Sequence, residues 1–252
     1  MVHKERNNIL NYSGMKDLKY YLGQVEEIFS NEQFIAEPRE LYEPIDYTLR
    51  LGGKRIRPTL LLAANAMFGG EMSVARDAAL GIETFHNFTL LHDDLMDRSP
   101  LRRGKPTVYT KWGDNTAILS GDTMFALAWR YFLRQPSPYL QEILQCFNET
   151  AIEVCEGQQK DMNFEQRGNV TIDEYMDMIL QKTAVLLAGA LKIGALYADA
   201  SKKMYASCMI SVCTSDWRSN YRTTCSMAMA TLLYSARKLV RTYATTRRHS
   251  YR

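Results

Sequence analysis

Between Asp17 and Ala198 apolar residues recur at steps of three and four, and no strand-like alternation lasts more than a few residues. That spacing lays apolar side chains along one face of a helix and is incompatible with a half-buried strand. Leu41, Ile45, Tyr47, Leu49 and Leu51 form one such run, ended by Gly52-Gly53. A second runs from Pro58 through Leu60, Leu61, Leu62, Ala64 and Met67 and stops at Gly69-Gly70. A long third is predicted over about 73–97, through Ala79, Ile82, Phe85, Phe88, Leu91 and Leu95. It stops at Arg98-Ser99-Pro100, because proline lacks an amide donor and disfavours helix in the residue before it. Further helices fit 116–134, 139–164 and 172–197, the last opened by Asp173 and Glu174 at the positive end of its dipole. There is no internal repeat. The expectation is an all-α bundle of long helices.

The 252 residues are 46% hydrophobic and 23% charged, enough for one large core and too apolar for a disordered chain. No uninterrupted apolar run reaches about 18 residues, so no membrane span is expected. The opening MVHKERNNILNYSG lacks the apolar stretch of a signal peptide. The five cysteines show no pair spacing, which argues against a disulfide scaffold or a zinc site. A soluble cytoplasmic protein is expected.

Chemistry concentrates at the end of the third helix, in His92-Asp93-Asp94-Leu95-Met96-Asp97. Steps of three and four place Asp93 and Asp94 on the face of Asp97, about one turn away. Carboxylates so close repel, and the negative end of the helix dipole adds to the cost. Bound cations or basic neighbours relieve it, and hard oxygen ligands suit Mg2+, which keeps several waters and shares its other ligands with phosphates. Alone, the cluster reads equally well as a solvated helix end. It is followed, however, by Arg102-Arg103-Gly104-Lys105, and Gly53-Lys54-Arg55-Ile56-Arg57 opens another helix. Fork-shaped donors beside metal-binding carboxylates are what a diphosphate group needs. Lys182 stands alone in an apolar helix, where burial without a partner is costly, so a phosphate partner is expected for it.

GGKRIRP, ETFHNFTLLHDDLMDRSPLRRGKPT, EGQQKDM and LQKTAVL, in that order, resemble the trans-isoprenyl diphosphate synthase (polyprenyl synthetase) family over roughly residues 41–200. The resemblance implies an all-α bundle of the isoprenoid synthase type, usually a homodimer, that joins isopentenyl diphosphate to an allylic diphosphate. It implies that Asp93, Asp94 and Asp97 hold Mg2+ on the allylic diphosphate. It further implies that Lys54, Arg57, His86 and Arg103 bind isopentenyl diphosphate, and that Arg102, Lys182 and Thr183 face the allylic one. Gln158 and Asp161 match the family's Gly-Gln-x-x-Asp stretch. Phe88 and Thr89, five and four residues before Asp93, correspond to the floor that limits prenyl chain length, here a C15 or C20 product. Ionisation of the allylic diphosphate and attack by a double bond need no side-chain nucleophile, in keeping with the lack of a Ser-His-Asp or Cys-His set. No nucleic acid partner is expected. Two other readings stay open: a non-catalytic dimerisation partner of a prenyl synthase, and a terpene cyclase, which has no use for the GGKRIRP site.

The resemblance stops near Lys203. Residues 204–252 carry eight basic residues against the single acid Asp216, three of the five cysteines and fourteen Ser or Thr. The second aspartate-rich motif that the family implies is missing. Shifting the frame so that each codon takes the last base of one and the first two of the next makes Met204-Tyr205 give Val, Met209-Ile210 give Asp and Asp216-Trp217 give Leu. In that frame Arg218 to Met227 permit Phe-Gln-Leu-Gln-Asp-Asp-Leu-Leu-Asp, which is family-like. The expectation is therefore an over-extended start at 1–14, a partial isoprenoid synthase domain at 15–203 and a frame-shifted tail at 204–252, with the fold truncated and scrambled there. A chain so altered is expected to be poorly soluble or inactive.

Overall fold

The computed structural model describes residues 16–199. The expected extension at 1–14 and the whole of the altered tail from 204 lie outside these residues. The described chain runs α1 (Leu18–Asn31), α2 (Arg39–Arg50), α3 (Ile56–Met67), α4 (Met72–Met96), a hairpin of β1 (Leu101–Arg102) and β2 (Lys105–Pro106), α5 (Val108–Trp112), α6 (Asp114–Arg134), α7 (Leu140–Glu165), α8 (Ile172–Ile179), a π-helical turn (Leu180–Ala184) and α9 (Val185–Tyr197). The all-α expectation holds, and α4, α6 and α7 fall within two residues of their predicted limits. The helix expected over 172–197 is interrupted: its middle turn is π, not α.

The core is built where α4, α6 and α7 meet. Phe85, Phe132 and Phe147 are fully buried there. Phe147 is the hub, with ring centroids of Phe132, Trp129 and Phe85 at 4.5, 5.1 and 5.2 Å. Rings at such tilted and edge-on separations add to the area that they bury. On the other side α9 packs against α3 and α7.

Helix α8 starts with a capping box, the Thr171 hydroxyl accepting from the Glu174 amide while the Glu174 carboxylate accepts from the Thr171 amide. The stretch Ile172–Tyr197 is long and apolar enough to cross a membrane, with a mean hydropathy of 1.5, although no single apolar run reveals it. Leu186, Ala190, Ile193 and Leu196 of α9 lie in the core cluster.

Candidate active site

The basic side begins in the loop before α3, where Gly52, Gly53 and Arg55 all have positive φ (75°, 144° and 45°). A side chain other than glycine pays for left-handed backbone, so Arg55 must be held by strong partners. It is. Its buried guanidinium lies 2.9 Å from Glu83 Oε1, donates to the Leu49 carbonyl and sits 4.3 Å from the Phe29 ring centroid. Glu83 also accepts from Asn87 Nδ2 at 3.3 Å. Arg55 and Glu83 therefore form a framework ion pair, and sequence reasoning assigned neither a role. Nothing in the basic string distinguishes Arg55 from its neighbours, and its partner is 28 residues away.

Arg57, two residues on, faces the site. Its Nη1 lies 3.1 Å from His86 Nε2, and its Nε has no hydrogen-bond partner. A guanidinium only donates, so Nε2 must accept and the ring proton resides on Nδ1. Burial, reinforced by Arg57, Arg103, Arg102 and Arg55, pushes His86 well below its usual range and keeps it neutral. Burial also pulls Arg57 down, against the Glu83 charge.

Arg103 and Gly104 form the two-residue turn of the hairpin, both with positive φ (54° and 74°), the geometry that matches strand twist. The turn sends adjacent arginines apart. The Arg103 guanidinium lies against Gly53, with Nη2 2.7 Å from where a Cβ there would stand, while Arg102 reaches α4. Lys54 is exposed on the same loop as Gly53. Arg57 and Arg103 thus act on His86 from a side whose buried carboxylate, Glu83, is already taken by Arg55.

The acidic side is arranged differently. Asp94 is buried and accepts two hydrogen bonds of 2.7 Å from Arg102 Nε and Nη2. Arg102 was expected on a diphosphate; here it clamps an aspartate. Burial lowers its pKa, but the Asp94 hydrogen bonds and charge outweigh this and raise it. Lys182 Nζ lies 2.8 Å from Asp161 and 3.9 Å from Asp93, so it has carboxylate partners where a phosphate had been expected. Asp97 is the exposed C-cap of α4.

Asp93 is largely buried and pushed up to about 6, first by burial, with Lys182 opposing and Asp97 and Asp94 adding. Its negative charge is under-compensated. Among the described residues no three His, Cys, Asp or Glu side chains converge as a metal site. The expected trio is divided, with Asp93 and Asp97 open and Asp94 closed by Arg102. The donor chemistry of Asp93 and Asp97, hard oxygens with a charge deficit beside a buried carboxylate, fits Mg2+ with water and phosphate as its remaining ligands.

Between the two sides opens a cavity of about 290 Å³. Arg57, His86, Asp93, Gln158, Lys182 and Thr183 supply its polar lining; Phe88, Met96, Val154, Met162 and Leu186 supply much of the rest. Thr89 also lines it, its hydroxyl bonded back to the His86 carbonyl at 2.8 Å. Gln158 Nε2 is 3.9 Å from Met96 Sδ and its Oε1 is buried without a partner. The π turn passes so close to α7 that a Cβ on Gly157 would stand 2.5 Å from the Lys182 amide nitrogen, so only glycine fits. The cavity also admits His92, which had no predicted role.

Cations and carboxylates thus share one cavity of the helical bundle with apolar side chains that include Phe88. Residues 38–213 match the family model described as Polyprenyl synthetase, most of the chain, and the protein belongs to the polyprenyl synthetase family. The match runs past the break expected at Met204. The chain is 43% identical over 173 residues to a geranylgeranyl diphosphate synthase of Methanosarcina mazei, covering 68% of this chain and 53% of that one. It is 41% identical to a geranylfarnesyl diphosphate synthase of Natronomonas pharaonis, covering 68% and 56%. The solved geranylgeranyl pyrophosphate synthetase of the archaeon Geoglobus acetivorans superposes with a TM-score of 0.68 at 37% identity, covering 75% and 61%. The chain thus spans little more than half the length of these curated relatives.

Proposed function

We propose that this site belongs to a short-chain prenyl diphosphate synthase that joins isopentenyl diphosphate to an allylic diphosphate. The observation that carries the reading is the single cavity that has Arg57 and His86 on one flank, Asp93 and Lys182 on the other, and Phe88 among its apolar walls. Lys54, Arg57 and Arg103 hold the isopentenyl diphosphate as charge-assisted donors, and His86 orients Arg57. On the allylic side Lys182, Thr183 and Arg102 receive the other diphosphate, with Gln158 close by. Asp93 and Asp97 would hold the metal, and Asp94 would be available to it once Arg102 was drawn to phosphate. Mg2+ bound there would neutralise charge developing on the leaving diphosphate. The low-dielectric walls exclude water and so strengthen every charge interaction at the mouth. Phe88 and Thr89 bound the space for the growing tail, which fits a C15 or C20 product. No side chain forms a covalent bond.

The partner assignment includes a second copy of the chain. Ile118, Leu119 and Leu133 leave apolar side chains exposed on α6, in keeping with a homodimer. The apolar Ile172–Tyr197 stretch is read as a core helix, and the cytoplasm as the working compartment. The acid-poor tail from Met204 is read as frame-shifted, which removes a second acidic wall and lowers turnover.

The test compares two purified proteins, the chain as written and one with a base restored at the codons for Ser201 to Met204. Each is given isopentenyl diphosphate, Mg2+ and, in separate reactions, geranyl or farnesyl diphosphate, and products are separated by chromatography. The restored protein is expected to form prenyl product, and the chain as written to turn over at least about 10²-fold more slowly, the scale of losing one preorganised charge-stabilising group. No product from either would sink the synthase reading. Equal rates would sink the frame-shift reading alone.

A further inference from the structure

His92 stands between Phe88 and Asp93 on α4, lines the cavity and takes no part in the function proposed above. Its seat is narrow. A Cβ on Gly121 of α6 would lie 2.1 Å from His92 Nε2 and 2.5 Å from its Cδ2, so the imidazole occupies the space that a side chain there would need. Nε2 is also 3.2 Å from the carbonyl oxygen of Ile118, one turn earlier on α6. A carbonyl only accepts, so the ring donates from Nε2 and its direction is fixed. The exposed Asp122 carboxylate lies 4.0 Å from Nε2.

What this seat fixes is a ring. Phe88 meets His92 edge-on at 4.8 Å and stacks on Phe125 at 5.4 Å, with Phe85 behind at 5.6 Å. Phe85 is fully buried and cannot yield, whereas Phe88 borders the cavity. His92 therefore closes the cavity-side path by which the Phe88 ring would swing.

We propose that His92 is a positioning residue for prenyl tail length: seated by Gly121 and the Ile118 carbonyl, it holds the Phe88 ring in place and so limits the tail that the cavity accepts. The proposal rests on the reading of Phe88 as the floor. Gly121 acts through His92, because the three atoms nearest to a methyl group there would all belong to the imidazole.

Binding separates tail length from turnover. The full chain, with Mg2+, is titrated calorimetrically with the thiolodiphosphate analogues of farnesyl, geranylgeranyl and geranylfarnesyl diphosphate, which resist ionisation. The quantity read is the affinity ratio of the longest to the shortest tail, which a general loss of stability leaves unmoved. His92→Ala and Gly121→Ala are each expected to raise this ratio about tenfold, the scale of opening an apolar pocket by a small group. The double variant is expected to raise it no further, since both act at one seat. Phe88→Ala should raise it at least as much. If Phe88→Ala shifts the ratio and the His92 and Gly121 variants do not, the inference fails and the floor stands. An additive double variant also overturns it. If Phe88→Ala has no effect, the floor reading falls and the inference with it; if the parent binds none of the analogues, the synthase reading falls too. Should His92→Ala not fold, His92→Leu makes the same comparison.

Discussion

The two flanks of the cavity solve the same electrostatic problem in opposite ways. On the basic flank Arg57 keeps an unpartnered Nε against a neutral His86, and the buried carboxylate, Glu83, is occupied by Arg55. Positive charge is left uncancelled and aimed at the cavity. On the acidic flank every buried carboxylate has a cation: Arg102 closes on Asp94, and Lys182 bridges Asp161 and Asp93. One flank is ready for an anion alone. The other is a salt cluster in which Arg102 must release Asp94 before that carboxylate can take a metal, while Asp93 stays under-compensated beside it. Pairing of this kind avoids the penalty of isolated buried charges while keeping them exchangeable.

The largest expected effect breaks the frame that holds the basic flank open. Glu83→Ala leaves Arg55 buried without its counter-ion and should cost about 3–5 kcal/mol in urea unfolding; a loss below 1 kcal/mol would mean that the pair is incidental. Next comes Arg57→Leu, expected to weaken isopentenyl diphosphate binding by about 10²-fold while leaving Mg2+ affinity unchanged, as calorimetry would show. A matching loss of Mg2+ affinity would erase the distinction between the flanks.

The smallest is a gain. Asp93 sits at about 6 in the fold against roughly 3.9 in an unfolded chain, so between those values the folded state binds the extra proton and stability falls as pH rises. Asp93→Asn removes that cost and should stabilise the metal-free protein by about 2 kcal/mol above pH 7, and hardly at all near pH 4. Thermal melts at the two pH values decide it, and a gain independent of pH would point to another cause.

Helices and motif residues were legible because both rest on local spacing. The three-and-four rhythm placed α4, α6 and α7, and Asp93, Arg57, His86, Lys182 and Thr183 do line one cavity. What spacing could not reveal was pairing across the fold. Lys182 looks solitary in its own helix because Asp161 lies 21 residues earlier, on α7. Arg102 and Arg103 read as one basic pair, yet left-handed backbone at the turn sends one to Asp94 and the other to Gly53. Three aspartates on adjacent turns read as one ligand set, but burial and Arg102 give them three different environments. His92 was legible only as the first residue of the aspartate cluster, since its seat depends on the lack of a side chain at Gly121.

The π turn at Leu180–Ala184 is, in mechanical terms, a phase shifter. An ordinary α-helix advances about 100° per residue, so one extra residue in a turn rotates everything after it relative to everything before. Before the turn, Ile172 and Met176 face solvent; after it, Leu186, Ala190 and Ile193 face the core. Lys182 stands inside the adjustment itself, which frees its direction from the rhythm of either segment. A charged side chain can thus point into the cavity from a stretch otherwise given over to packing, and a single-residue deletion there would retune the site and the core at once.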